Sequence, residues 1–289
     1  MELGHRALRV TARAGRSVGP ALDRYRLATS APRTAWGFRS HWRTVRGVAT
    51  HDRCSVSAPD GTTPLLLLHG LAVSHRYLMP LAARLANRHA IHVLDLPGFG
   101  LSGDPDRVLD VAEHADHVTD WLEAADLSPV VVLGNSFGCQ VAVELAVRHP
   151  DRVRGLVLAG PTMDPAARTV SRQILRWLRD TAREDPLQLP ILVRDVRDAG
   201  LHRVVGTLVH ALRDPIEHKL PLVRVPVLVT RGSREPIVPA AWGAAVARLL
   251  PLGELAVVLG PHNANYGAAD HLGELVRVFL DRRAQAHGG

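Results

Sequence analysis

The stretch VVVLGNSFGCQVAVELAVRHP, residues 130–150, decides the reading of this chain. Four apolar residues run straight into Ser136, which lies between Gly134 and Gly138, and apolar positions at helical spacing follow at once. A serine so placed sits where a buried strand turns into a helix. That turn forces strained backbone angles on the serine, and side chains two residues to either side would collide with it. Gly134 and Gly138 remove those collisions. The bare GxSxG pattern carries little weight; a strand before it and a helix after it give it weight.

Outward from there, short β-branched runs alternate with longer helical stretches. An antiparallel pair is expected within 44–57, then buried strands at 65–68, 90–94, 130–133, 153–159, 225–230 and 254–259. Helical patterns fall near 77–87, 108–126, 137–149, 239–250 and 268–283. This alternation predicts the α/β class, with a mostly parallel, doubly wound sheet covered on both faces. Residues 161–222 break the rhythm. They hold no strand signal but carry SRQILRWLRDTA and LHRVVGTLVHALRD, punctuated by Pro186, Pro190, Pro215 and Pro221. An insertion of that length, following the sixth expected strand, is read as a helical lid over the active site. The expected division is a basic, poorly ordered arm over 1–40, core over 41–160 and 223–289, and the lid over 161–222.

Composition sets the limits. With 289 residues and 46% hydrophobic content the chain can bury a full core. The net charge of +7 is concentrated at the start: residues 1–53 hold eleven arginines against three acids, which leaves the rest of the chain near neutral. No aromatic platform or nucleic-acid motif accompanies the basic arm, so no nucleic-acid partner is expected. Lys219 is the single lysine, and arginine dominates everywhere, which weakens a transit-peptide reading of the arm. No secretory or membrane-spanning run is present, and a cytoplasmic location without membrane attachment is the expectation. Cys54 and Cys139 lack disulfide-framework or zinc spacing. His114 and His117 lie three apart without a third ligand, and neither metal nor cofactor is expected.

A serine hydroxyl is a poor nucleophile until a histidine takes its proton and an acid orients that histidine. Such sheets supply these groups in chain order serine, acid, histidine. Glu235, in RGSREPIVP, follows the strand at 225–230, and His262, in GPHNANY, follows the last strand. Ser136, His262 and Glu235 are therefore the expected nucleophile, base and acid.

With those motifs in order, the chain resembles the α/β-hydrolase fold superfamily over residues 43–283. The matching elements are LLLLHGLA, VLDLPGFGLS, LGNSFG, RGSREPIVP and GPHNANY, each at a strand end. The resemblance implies an oxyanion hole from the backbone N–H groups of Leu71 and Phe137, with His69 shaping the loop and Asp95 fixing the LPGFG turn. It also raises Asp164 as a rival acid, since some members draw the acid from that position, although Glu235 is favoured. The implied activity is hydrolysis of a small to medium carboxylic ester or thioester through an acyl-enzyme. Two alternatives stay open: a carbon–carbon hydrolase of acidic dienols, whose carboxylate Arg172, Arg176, Arg179 or Arg183 would bind, and a non-hydrolytic member acting by elimination or as a ligand receptor. Those arginines are read first as a solvated helix face, and Ile174, Leu175, Trp177 and Leu178 as the lid's own core.

Overall fold

The computed structural model describes residues 34–35, 37–57 and 62–287. Its centre is a nine-stranded sheet: β1 (Thr34–Ala35), β2 (Phe38–Val45), β3 (Val48–Ser55), β4 (Leu65–Leu68), β5 (Ile91–Leu94), β6 (Val130–Asn135), β7 (Val153–Ala159), β8 (Val227–Gly232) and β9 (Gly253–Val258). They lie in the order β1-β2-β3-β5-β4-β6-β7-β8-β9. The first three strands and the β3–β5 pair are antiparallel, and every pair from β5 to β9 is parallel. Arg46 and Gly47, both at positive φ, make the two-residue turn between β2 and β3, the geometry that matches strand twist.

The central strands β4 to β8 are largely buried on both faces, and their alternation divides the core in two. Leu65, Leu67, Val131, Leu133 and Val157 face a cluster with α1 (His75–Leu85). Leu66, Leu68, Val132, Leu156 and Leu158 face α2 (Val111–Ala124) and α3 (Phe137–Arg148). Each fully buried Leu or Val contributes roughly 1.5–3 kcal/mol, which fixes the register of every strand. Asp110 caps α2 in a reciprocal capping box with Glu113, so the helix starts where the apolar periodicity begins.

The helical insertion comprises α4 (Val170–Thr181), α5 (Leu189–Ala199), α6 (Leu201–Arg213) and α7 (Ile216–Lys219). The chain then returns to the sheet and closes with α8 (Ala240–Leu249), α9 (Ala264–Gly267) and α10 (Ala269–His287). Among the described residues, no helix is long and apolar enough to cross a membrane.

Three expectations change. The sheet has nine strands instead of eight, because the two-residue β1 is too short to leave a periodic signal, and the insertion accordingly follows the seventh strand. Strands β1 and β2 also begin before residue 41, so the boundary of the arm moves back; residues 1–33 lie outside the described residues. The third change is in α4. Ile174, Leu175, Trp177 and Leu178 are 42–55% exposed, while the buried residues of that helix are Gln173 and Asp180. The fully buried side chains of this helix are thus polar ones.

Candidate active site

The carboxyl ends of β4 and β6 lie side by side, where the chain crosses from one half of the parallel sheet to the other. In open α/β sheets that crossover is where ligands bind. Ser136 follows β6 directly and has φ 53°, a region that costs a non-glycine residue of order 1–3 kcal/mol. The surrounding structure enforces it. Ser136 N–H donates to Ala159 O at 3.0 Å, and a Cβ on Gly138 would stand 2.5 Å from Leu68 O and 2.8 Å from His69 O. Only a glycine lets α3 begin so close to β4.

His262 sits in the loop between β9 and α9. Its Nδ1 is hydrogen-bonded to Glu235 Oε1, and the other carboxylate oxygen accepts from Gly232 N–H at 2.7 Å. Both side chains are buried. His262 Nε2 has no partner within the protein, and His262 and Ser136 line the same cavity. Burial opposes charge on this imidazole, but the Glu235 carboxylate, with Asp180 and Glu184 nearby, outweighs it and raises its pKa above the ordinary histidine value. Gly160, at φ +65° just past β7, leaves the imidazole its room: a Cβ there would lie 2.7 Å from His262 Cε1.

Asp164 is elsewhere. It accepts from Ala166 N–H at 2.9 Å and pairs with Arg176 at 2.7 Å, so of the two candidate acids the structure brings Glu235 to His262. Leu71 and Phe137 line the cavity beside Ser136, and a Cβ on Gly70 would meet Ser136 Cβ at 3.1 Å, which shows how closely the Leu71 loop approaches. His69 holds that loop from below. Its Nε2 accepts from Leu96 N–H at 3.0 Å, so its Nδ1 donates to Gly70 O at 2.8 Å, and burial keeps the ring neutral by lowering its pKa.

Sequence reasoning missed Tyr77. Its hydroxyl accepts from Gly70 N–H at 2.8 Å and donates to Asn135 Oδ1, while Asn135 Nδ2 donates to Ala159 O at 2.9 Å. One phenol thus ties the Leu71 loop to the residue before Ser136. Asp180 and Glu184 were missed as well: His262 N–H donates to Asp180 Oδ1 at 3.1 Å and Asn263 N–H to Glu184 Oε1 at 2.6 Å. No motif announces these three, because each acts across a long sequence separation.

Among the described residues, His51, His75 and Asp95 form the one cluster with metal-ligand chemistry. Its atoms are already satisfied by one another. Both imidazole Nδ1 atoms lie on Asp95 Oδ2, at 2.8 and 2.7 Å, and the carboxylate also accepts from the N–H groups of His75 and Leu101. Burial, only partly opposed by Asp95, lowers His75 to about 4, so its ring is a neutral donor. The cluster fastens the LPGFG turn to β3 and to the start of α1.

The cavity above Ser136 has a volume of about 560 Å³ and lies between the sheet and the insertion. Ile174, Trp177, Leu189, Leu192, Val204 and Leu208 form its apolar wall. Its described lining includes no lysine or arginine, and its titratable acids and imidazole are Asp180, Glu184, Asp185 and His262. Of the insertion's arginines, Arg176 is engaged with Asp164 and Ile237 O, and Arg172, Arg179 and Arg183 are exposed.

This sheet, with a serine on a strained strand-to-helix turn and a histidine held by an acid at neighbouring strand ends, gives the chain the α/β-hydrolase fold; residues 63–191, somewhat under half of the chain, match a family profile described as alpha/beta hydrolase fold. Among its relatives is the pimeloyl-[acyl-carrier protein] methyl ester esterase of Neisseria meningitidis serogroup B / serotype 15 (strain H44/76), 28% identical over 251 residues that span 78% of this chain and 95% of the relative. The magnesium-chelatase 30 kDa subunit of Rhodobacter capsulatus is 28% identical over 245 residues, 75% of this chain and 86% of that one. Among solved structures, a thermophilic esterase from Thermogutta terrifontis superposes with a TM-score of 0.70 at 20% identity, covering 84% of this chain and 98% of its own. That likeness concerns the fold.

Proposed function

We propose that this protein is a serine hydrolase of uncharged, small to medium carboxylic esters or thioesters. The observation that carries the reading is the pairing of a strained Ser136 with a His262 whose Nδ1 is held by Glu235 and whose Nε2 is unpartnered beside the same cavity. In the proposed reaction Ser136 Oγ attacks the acyl carbon and its proton passes to His262 Nε2. Glu235 keeps the other proton on Nδ1 and stabilises the imidazolium. The N–H groups of Leu71 and Phe137 hold the developing oxyanion, each contributing roughly 3 kcal/mol to the transition state. The tetrahedral species collapses, the alcohol or thiol leaves with the proton from His262, and water, deprotonated by the same imidazole, releases the carboxylate product.

The lining supports the substrate class. A cavity of this size with an apolar wall suits an acyl chain. An acidic dienol would bring its carboxylate among Asp180, Glu184 and Asp185 with no lysine or arginine in the described lining to meet it, which argues against the carbon–carbon hydrolase alternative. The relative named as a methyl ester esterase supports ester cleavage. The relative named as a magnesium-chelatase subunit favours the second reading, an accessory, ligand-binding role without turnover.

The test is labelling of the folded protein with a fluorophosphonate, followed by a panel of acyl esters, thioesters and dienol acids. Labelling that is lost in Ser136→Ala, with turnover of neutral esters, is the expected result. A pure, folded wild type that resists the probe sinks the hydrolase reading in favour of the accessory one.

A further inference from the structure

Helix α4 poses a problem that its sequence does not solve. An ordinary amphipathic helix would bury Ile174 and Leu178, yet this one buries Gln173 and Asp180. A buried polar group costs about 1–3 kcal/mol unless it is hydrogen-bonded. Gln173 meets that cost by donating to Ala167 O at 2.9 Å, within the insertion itself. Asp180 meets it outside the insertion, on the backbone of the loop that carries His262. Four residues further on, Glu184 accepts from the next backbone N–H, that of Asn263, and Gln188 Nε2 donates to its second oxygen at 2.9 Å. Two consecutive N–H groups are therefore held by two carboxyls from a different part of the chain.

Building on the hydrolase reading above, we propose that Asp180 and Glu184 are positioning residues for His262: they clasp its loop by two backbone hydrogen bonds and so make the seating of the insertion a condition for a correctly aimed imidazole. The insertion then does more than cover the cavity. If α4 lifts, the His262 loop loses two of its acceptors at once.

The clasp also carries charge. The titratable groups facing His262 are Glu235 from the loop after β8 and Asp180 and Glu184 from the insertion; Cys139 of α3 in turn faces Glu235. Burial, reinforced by Asp180 alongside, raises the Glu184 carboxyl well above the usual carboxylate range. Asp180, and Glu184 once it is ionised, favour the protonated imidazole, so replacing either carboxyl by an amide makes His262 a base at lower pH. A merely structural contact has no such effect.

Three variants and one control decide the matter. Asp180→Asn keeps an oxygen for the His262 N–H but removes the charge, Glu184→Gln does the same at Asn263, and Asp180→Ala removes the acceptor. Arg179→Ala, on the exposed side of α4, is the control. Acylation of Ser136 by a fluorophosphonate is followed from pH 5 to 10, and the His262 imidazole is titrated directly by NMR. The expected result is a downward shift of the His262 midpoint in the Asn and Gln variants. Acylation should fall on the order of 10²-fold in Asp180→Ala, as for a reacting group displaced by about 1 Å. Arg179→Ala should match the wild type. If Asp180→Ala is unfolded, the two conservative variants carry the test. An unchanged His262 midpoint in both of them overturns the proposal, as does a folded Asp180→Ala that acylates within twofold of wild type. Absence of labelling in the wild type overturns the hydrolase reading instead, and the NMR titration still decides the clasp.

Discussion

Gly160→Ala isolates the position of the base from its chemistry. The added Cβ would lie 2.7 Å from His262 Cε1 and 2.9 Å from Nδ1, against ordinary contacts that begin at 3.4 Å. The imidazole must therefore retreat by about 0.7 Å, or the strand end must move by as much. A misplacement of about 1 Å costs on the order of 10²-fold in rate, so kcat/KM and the acylation rate should fall between ten- and a hundredfold. Alanine at φ +65° also costs roughly 1–2 kcal/mol, which lowers Tm by about 2–4 °C per kcal/mol in a domain of this size. Gly155→Ala, within β7 itself, is the comparison. Its Cβ would find its nearest neighbour at 3.5 Å, with no positive φ, and it should leave both quantities close to wild type. Acylation is timed with a fluorophosphonate at fixed pH, and folding by thermal melting. A folded Gly160→Ala that acylates within twofold of wild type would refute the argument that His262, at the site beside Gly160, is the working base.

Glu235→Gln should reduce kcat on the order of 10⁴-fold. Both Glu235 oxygens accept from donors, Gly232 N–H and His262 Nδ1, and an amide must turn its NH₂ toward one of them. Asp164→Asn, which weakens only the contact with Arg176, should change acylation far less; the reverse ranking would make Asp164 the acid. Tyr77→Phe strands the buried Gly70 N–H and Asn135 Oδ1, so unfolding in urea should show a loss of about 1–3 kcal/mol for each group, and a loss below 0.5 would mean the bridge is idle. The pH dependence follows from His262 and Glu184, whose pKa values are raised from 6.5 and 4.5. Each holds its proton in the folded state over a range where the unfolded chain has released it, so stability is fully present below the unfolded value and falls as pH rises through the folded one. Urea midpoints should decline from pH 6 to pH 9, and Glu184→Gln should flatten the decline. Acylation should run the other way, rising with pH above the ordinary imidazole range as His262 becomes neutral.

Most of the site could be read from the chain because its parts are local. The elbow at Ser136 is strand, turn and helix within some twenty residues, and the glycines that permit it stand two positions to either side. The same logic singled out His262 and Glu235 as candidates, each following a strand that its apolar run makes visible, and folding brings the two into contact. Tyr77 was invisible for the opposite reason. It lies on a helix whose periodicity marks it as core, and its hydroxyl is useful only because folding brings Gly70 and Asn135 to it, the latter from 58 positions away. The orientation of α4 was hidden more deeply. Periodicity reveals that a helix has an apolar and a polar face, but not which one is turned inward, and the rule that the apolar face is buried holds only where an apolar surface waits to receive it. Here a loop receives the helix end through two backbone N–H groups that donate to Asp180 and Glu184, while Ile174 and Trp177 of the same helix line the cavity.

That observation bears on how the insertion is held. Arg76 of α1 is buried against Asp195 of α5, whose second oxygen accepts from Ser74 Oγ at 2.9 Å. Gln140 of α3 donates to Ala211 O at 3.0 Å and to Asp214 at 2.8 Å, and Arg176 reaches Asp164 and Ile237 O. With Asp180 and Glu184, these contacts fasten three of the insertion's four helices and the turn after α6 to the core at named atoms. Apolar packing is non-directional and tolerates sliding, whereas a buried hydrogen bond displaced by an ångström is lost while its desolvation cost remains. Polar anchors therefore set the register of the insertion over Ser136, which is the best-attested use of buried ionic groups. They also leave Ile174, Trp177, Leu192 and Leu208 free to line the cavity. The polar residues that seat the insertion and the apolar residues that shape the pocket belong to the same helices. A change of acyl preference can consequently be sought at the wall positions without unfastening the helices that carry them.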